Sequence, residues 1–440
     1  MKKDDLLAEV EAILADYELC DSCLGRLYGQ RSHGLTNRQR GRSLRTALAI
    51  AQDRPLAESE RCELCLGLCA NLGGWASRCI DRVRELEFET FLVGNRLKEE
   101  VVENQSDLEE KFGLADAEDF GHAVNRVLGK KFRDGLAELG REVKADFETP
   151  DLTCVIDFRR GKIDLEPRPL YVYGRYRKLR RGIPQTIWHC PNCRGRGCEE
   201  CSYTGRVYED SIEERISLPL KDGAKGKDHK FHGGGREDVD VLTLGRGRPF
   251  VVEIREPRLR SLDFKAIVEE INAGPEAVEV TALQSVEEDA VRAVKQAEAE
   301  KIYRVVVELS RDVKKEDFFT AANELEGEIF QKTPGRVSHR RSNRVRVRRV
   351  NSIRTHRLSE RRYRVVLRAE SGLYIKELFS SDGTIPSLAE DLGLEISVRQ
   401  LDVLDIPGEL KVQNPEGAGR KKFFFEQSSQ DVEKSFAQSN

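Results

Sequence analysis

The chain has 440 residues, 34% of them charged, yet a formal net charge of only -3, so any interaction with a polyanion must come from local clustering of charge. This length suits two or three domains, each with its own core. No apolar run reaches the roughly 18 residues that a membrane-spanning helix needs, and the charged N-terminus does not have the form of a secretory signal. Eight of the eleven cysteines fall into four CxxC pairs, a pattern of cytosolic metal binding and not of an extracellular disulfide framework. A soluble cytoplasmic protein without a membrane partner is expected.

Leu6, Leu7, Val10, Ile13, Leu14 and Tyr17 recur at helical spacing, so the chain opens with an amphipathic helix ending near Cys20. Cys20 and Cys23 follow at once, and after a basic segment come Cys62 and Cys65. Together these two pairs can close a four-cysteine zinc site, with Cys69 as a competing ligand and Cys79 and Cys154 as ordinary buried thiols. Residues 88–173 then alternate short β-like runs (91–93, 153–158, 162–165) with a helix at 120–139. This α+β stretch has no acid–base or metal constellation, which fits binding or scaffolding better than catalysis.

Residues 173–186 interleave Arg175, Arg177, Lys178, Arg180 and Arg181 with Tyr173 and Tyr176. Cations set among aromatic faces suit RNA, whose phosphates attract the charges while unstacked bases lie on the rings. Cys190, Cys193, Cys198 and Cys201 come next, two pairs four residues apart with Gly195 and Gly197 in the linker. Four thiolates leave no open position for water, so a zinc ion here is expected to be structural. In residues 232–254, Gly233, Gly234 and Gly235 can deliver Arg236, Glu237 and Asp238 to a place where backbone and ligand come close. The pattern predicts a hairpin, with one strand over Val239, Val241, Leu242 and Leu244, a turn at 245–249 and a partner at 250–254. It does not choose among Glu237, Asp238 and Asp240.

Strands are predicted at 278–283 and 302–309 and helices at 286–300 and 314–326, with Tyr303 near the start of the second strand. Residues 329–359 contain no acid but carry Arg336, His339, Arg340, Arg341, Arg344, Arg346, Arg348 and Arg349, a basic strand and loop suited to phosphate. A strand at 363–370 leads to a turn and a helix bearing Tyr374 and Lys376, and segments 388–394 and 396–404 complete the core. Beyond 413 the composition is that of a polar tail, in which Phe423, Phe424 and Phe425 can dock locally.

Four of these segments, 173–186, 235–253, 331–341 and 372–378, resemble in order the motifs of the tRNA pseudouridine synthases of the tenth PUS family, found in archaea and eukaryotes. The resemblance extends to about residue 410. It implies an α+β protein with a zinc-bearing, THUMP-containing RNA-binding domain over 1–173, a pseudouridine synthase domain with a mixed β-sheet flanked by helices over 174–412, and a tail over 413–440. It also implies conversion of uridines 54 and 55 of the tRNA T arm to pseudouridine by a monomer, with structural zinc and no organic cofactor. Gly235-Arg236-Glu237-Asp238 matches the family's Gly-Arg-x-Asp motif, which assigns the catalytic role to Asp238. Tyr303 corresponds to the tyrosine that stacks on the target base, and Lys376 to the basic residue that pairs with the aspartate. Arg236 and Tyr374 join the basic segments as substrate contacts. Residues 379–386, Phe-Ser-Ser-Asp-Gly-Thr-Ile-Pro, depart from the family's Gly-Asp-x-Gly-Arg-Thr-x-Pro, and Ser342-Asn343 stands where Ala-Asp is usual, differences that bear on the grip on RNA. A non-catalytic zinc-containing tRNA-binding protein or chaperone is the alternative. A THUMP-type methyltransferase or thiolation enzyme would need a cofactor-binding glycine loop after a strand, and the sequence has none.

Overall fold

The computed structural model describes residues 3–57, 61–274, 277–335, 342–413 and 421–439. They fall into two compact units, Met1–Arg168 with Arg258–Arg260, and Pro169–Pro257 with Ser261–Asn440. No described helix is long and apolar enough to cross a membrane.

In the first unit the helix Lys3–Asp16 buries Val10 and Ile13, residues of its predicted apolar stripe. The helix Asn37–Ala51 starts at a capping box, in which Thr36 accepts from the Gln39 N–H and the Gln39 side chain accepts from that of Thr36. A four-stranded sheet has the order β2 (Lys144–Ala145), β1 (Thr90–Arg96), β3 (Leu152–Asp157), β4 (Lys162–Pro167), and only the β3–β4 pair is antiparallel. Against this unit's core the helix Phe120–Glu138 buries Val124, Leu128 and Phe132, the last meeting Phe91 edge-on at 5.0 Å between ring centroids. Each such side chain stabilises the fold by about 1.5–3 kcal/mol.

A ten-stranded mixed sheet dominates the second unit. Its strands are β5 (Leu170–Lys178), β6 (Asp228–Gly233), β7 (Leu242–Arg255), β8 (Val278–Val286), β9 (Lys301–Leu309), β10 (Gly327–Lys332), β11 (Val345–Arg357), β12 (Arg362–Ala369), β13 (Thr384–Ile385) and β14 (Ile396–Asp405). They run in the order β13-β10-β11-β12-β9-β14-β7-β5-β8, and β6 also pairs with β7. The sheet is antiparallel except where β14 meets β7, a junction of two residue pairs, Asp402 with Leu242 and Val403 with Thr243. Strand alternation on β9 sends Tyr303, Val305 and Val307 into one core with Val365 and Leu367 of β12, and Ile302 to the other face beside Val366 and Phe436.

Two expectations need correction. Residues 239–254 do not form a hairpin, because β7 is one strand that bulges: a step of two residues along β5, from Tyr176 to Lys178, matches five along β7, from Arg248 to Thr243. Gly245 and Gly247 take φ of +56° and +76° there, and a Cβ on Gly247 would lie 2.5 Å from the Tyr176 carbonyl oxygen, so they shape a bulge that sequence alone reads as a turn. The segment expected to be a tail is structured as well. β16 (Lys422–Glu426) pairs with β15 (Glu409–Gln413), and the helix Ser429–Gln438 buries Val432 and Phe436, whose spacing of four marks one helix face.

Candidate active site

The three glycines end β6 and turn the chain toward β7. A Cβ on Gly234 would lie 2.8 Å from Pro249 Cγ, and Gly235, at φ +87°, would bring one within 2.8 Å of Arg248 Nη1. Only glycine fits this close approach. Arg248 Nη1 in turn donates to the Gly234 carbonyl at 2.9 Å, and Gln185 Nε2 donates to that of Gly235 at 3.0 Å.

The next residues diverge in direction. Glu237 turns inward, accepting from the Tyr176 hydroxyl at 2.7 Å and pairing with Arg248 Nε at 2.7 Å, and both members of that ion pair are almost fully buried. A carboxylate so enclosed anchors the loop and has no access to a substrate. Asp238 and Asp240 turn outward, to the same ammonium. Lys376 Nζ lies 3.2 Å from Asp238 Oδ2 and donates to both oxygens of Asp240 at 3.1 and 2.9 Å. Partial burial pushes the Asp240 carboxyl up, but the bond and charge of Lys376 outweigh it and hold it below the ordinary range. Thus the geometry removes Glu237 and leaves two acids facing one cation.

Lys376 lies in the first turn of the helix Ile375–Ser380, and Gln331 of β10 fixes the entry to it. Gln331 accepts from the Tyr374 N–H at 2.8 Å and donates to the Tyr374 carbonyl at 2.9 Å and to Thr384 Oγ1 at 3.1 Å. The Arg346 guanidinium lies 5.8 Å from the centroid of the Tyr374 ring. Arg348 Nε donates to the Ser371 carbonyl at 2.8 Å. Tyr303 shares a row across the sheet with Val403 and Thr243, the residues that join β14 to β7 just after the aspartate loop. It is 8% exposed, and burial pushes its hydroxyl up to about 12. Lys301, on the same face of β9, donates to Ser371 Oγ at 3.0 Å, and burial pushes its ammonium down to about 7. Arg236 is exposed, with its guanidinium 5.5 Å from the centroid of the Trp188 ring.

The basic run of β5 is mostly not a surface. Arg175 donates to the carbonyls of Arg246, Gly247, Ile406 and Gly408, stitching the β7 bulge to the end of β14. Lys178 is fully buried and donates to the carbonyls of Asp238 at 3.2 Å and Val239 at 2.8 Å. Arg177 remains half-exposed but is paired with Glu279 across to β8. Lys178 therefore has no surface to offer a nucleic acid, and Arg175, which alternation places on the opposite face of the same central strand, is committed to backbone carbonyls. Arg336, Arg340 and Arg341 lie outside the described residues.

Sequence reasoning passed over Gln185, Arg248, Lys301 and Gln331, and it read Tyr176, a ring with no exposed surface, as an aromatic face for RNA. Period-two alternation held a signal for two of them. Gln331 follows Ile329, and Lys301 precedes Tyr303 and Val305, each at a core-facing position of its strand.

Two four-cysteine clusters form, one as expected and one with a different member. Cys190, Cys193, Cys198 and Cys201 hold their sulfurs within 4.8 Å of one another, with Sγ–Sγ separations such as 3.9 Å for Cys190–Cys198 and 3.8 Å for Cys193–Cys201. Four thiolates around a tetrahedral zinc, each about 2.3 Å from it, would stand roughly 3.8 Å apart. Backbone N–H groups of Gly197 and Gly205 also donate to Cys193 and Cys201, both at 3.2 Å, the outer support that thiolate ligands need. In the first unit the mutual set is Cys20, Cys23, Cys65 and Cys69, with Cys20–Cys65 and Cys23–Cys69 each at 3.9 Å. Cys69 thus takes the place expected of Cys62. Leu66 and Gly67, at φ +49° and +81°, turn the chain so that the first turn of the helix Leu68–Arg82 returns Cys69 to the cluster. Cys62 is buried beside Cys20, Cys23 and Cys65 without completing the set.

Residues 171–407 match the family model for the C-terminal part of Pus10, and residues 75–157 match that for the archaeal Pus10 THUMP domain. The chain is an enzyme of the pseudouridine synthase class, an isomerase, with a THUMP domain in its N-terminal half. The tRNA pseudouridine synthase Pus10 of Halorubrum lacusprofundi is 42% identical over 424 residues, covering 93% of this chain and 96% of its own. That of Methanothrix thermoacetophila is 39% identical over 434 residues, covering 92% and 95%. The chain belongs to the Pus10 family. Among solved structures, a Cbf5-Nop10-Gar1 complex aligns at 22% identity with a TM-score of 0.29, covering 43% of this chain and 44% of that chain, too distant to carry any argument.

Proposed function

We propose that this chain converts uridine to pseudouridine in the T arm of tRNA, at position 54, position 55 or both, with Asp238 as the reacting carboxylate. The observation that carries the reading is the approach of Asp238 Oδ2 to Lys376 Nζ at 3.2 Å, on a side chain still 42% exposed. Glu237 is buried in its pair with Arg248, and the Gly-Arg-x-Asp pattern at 235–238 favours Asp238 over Asp240. The relatives named above are tRNA pseudouridine synthases, which supports tRNA as the substrate.

The reaction breaks the N1–C1′ glycosidic bond, turns the uracil and joins C5 to C1′, with C5 losing its proton and N1 gaining one, so there is no net redox change or hydrolysis and no organic cofactor is called for. Asp238 assists bond cleavage. Tyr303 supplies a ring face to hold the detached base, and Lys376 keeps the carboxylate oriented. The base must leave its stack to reach them. Arg236, Tyr374, the arginines of β11 and Arg336, Arg340 and Arg341 form the grip on RNA. Zinc at Cys190, Cys193, Cys198 and Cys201, and at Cys20, Cys23, Cys65 and Cys69, holds local structure and takes no part in the chemistry. The enzyme acts as a cytoplasmic monomer.

The test is to incubate an unmodified tRNA transcript with the protein and no added cofactor, and to map pseudouridine. Product at 54 or 55 is expected from the wild type. Asp238→Asn is expected to yield none while binding tRNA nearly normally, and product from that variant would sink the assignment. A non-catalytic tRNA-binding protein would yield none from either.

A further inference from the structure

The loop bearing the two outward acids is held from behind by a segment whose composition suggests a surface. Lys178 Nζ donates to the Asp238 carbonyl at 3.2 Å and to that of Val239 at 2.8 Å. The Gly182 N–H donates to the same Val239 carbonyl at 3.0 Å. Arg181 Nη1 donates to the Asp240 carbonyl and, at 3.1 Å, to that of Leu401, while its Nη2 pairs with Asp402. Asp402 is fully buried, fixed also by Arg304 Nη2 at 2.9 Å and Gln400 Nε2 at 2.7 Å, and it sits where β14 pairs with Leu242 of β7. Residues 178–182 therefore claim three consecutive carbonyls of the loop, those of residues 238, 239 and 240.

We infer that Lys178 and Arg181 are positioning residues, which fix the peptide planes of residues 238–240 so that the Asp238 and Asp240 carboxylates both meet Lys376. This inference rests on the reading of Asp238 as the reacting group. A peptide plane left unheld can rotate and swing its side chain by an ångström or more, and a displacement of that size costs on the order of 100-fold in rate when a reacting group is involved. Lys178 suits the task because its charge is shared between carbonyl dipoles and the nearby Glu237 and Asp240, and no solvent competes for its donors. Arg181 suits it because its planar fork spans a loop carbonyl and a carboxylate on a neighbouring strand. A phosphate contact is the opposite role for the same residues. Lys178, with no exposed surface, cannot play it.

The full-length chain carrying Lys178→Met, Arg181→Met or Arg181→Lys is assayed for kcat, KM, tRNA affinity over a salt series, and thermal unfolding, with Asp238→Asn in parallel. Lys178→Met and Arg181→Met are expected to lower kcat by about 100-fold while KM and tRNA affinity stay within about threefold. Arg181→Lys, which keeps the charge but not the fork, is expected to fall between Arg181→Met and the wild type. Unchanged kcat in folded Lys178→Met and Arg181→Met overturns the inference. So does a loss of tRNA affinity accompanied by a salt slope smaller by about one per residue, the mark of a phosphate contact. Should Lys178→Met not fold, the partly exposed Arg181 carries the test. Activity in Asp238→Asn would instead overturn the identity of the reacting acid, so the two failures are distinguishable.

Discussion

Lys376 Nζ stands 3.2 Å from Asp238 Oδ2 and 2.9 Å from Asp240 Oδ2, so one ammonium serves two carboxylates of the same loop. Asp240 is the more exposed of the two, at 64% against 42% for Asp238. The pair is thus asymmetric: one acid reacts in the proposed chemistry, and the other shares its counter-ion.

That asymmetry is measurable. Asp240→Asn leaves Lys376 with Asp238 as its carboxylate partner among the described residues, and kcat is expected to stay within about tenfold of wild type. Asp238→Asn is expected at background. If Asp240→Asn abolishes product while Asp238→Asn retains it, the roles are reversed. Pseudouridine mapping on the same transcript reads both.

Gly235 is the second test point. Its φ of +87° disfavours any side chain, and a Cβ would press on Arg248 Nη1 at 2.8 Å. Gly235→Ala is expected to cost about 1–3 kcal/mol in urea unfolding. Because Arg248 also binds Glu237, the carboxylate anchor shifts with it, and kcat falls more than tRNA affinity does. A variant as stable and active as wild type would show that the loop tolerates the displacement.

Lys301 gives stability a pH dependence of known sign. Its folded-state pKa of about 7 lies below the ordinary lysine value near 10.4. Between these values the unfolded chain binds more protons than the folded one, so the lysine's contribution to stability grows as pH rises from about 7 and is smallest below that. Lys301→Met removes this dependence. The stability of wild type minus that of the variant, from denaturant unfolding at several pH values between 7 and 9.5, is expected to increase with pH. A flat difference would mean that the ammonium is not desolvated as its burial implies.

The metal sites make separable predictions. Two equivalents of zinc per chain are expected, falling to about one in Cys193→Ser and likewise in Cys65→Ser. Cys69→Ser is expected to weaken the first-unit site more than Cys62→Ser does. Equal or reversed effects in elemental analysis after dialysis against a chelator would return Cys62 to the ligand set.

Much of the molecule was legible in the residue order. Periodicity placed the helix Phe120–Glu138 and strands β3, β9 and β12 to within a few residues, because a half-buried element carries its own alternation of apolar and polar side chains. The CxxC pairs marked the whole of the cluster at 190–201 and three of the four sulfurs of the other, since two thiols three residues apart can converge through local turns alone. Four motifs in order pointed to the family that residues 171–407 and 75–157 match.

What lay beyond the sequence were the facts that depend on which strand lies beside which. Arg175 and Lys178 carry the same charge as residues of an RNA-binding surface, and only their position on a central strand, with the β7 bulge and the aspartate loop across from them, turns them inward. Glu237 differs from its acidic neighbours because Arg248, eleven residues on in the chain, and Tyr176 of β5 are folded against it. The choice of Cys69 over Cys62 turns on two left-handed residues that redirect the chain. Local pattern reports how each element is faced. The partner that meets each face is set by long-range pairing, and that pairing exists only in the folded chain.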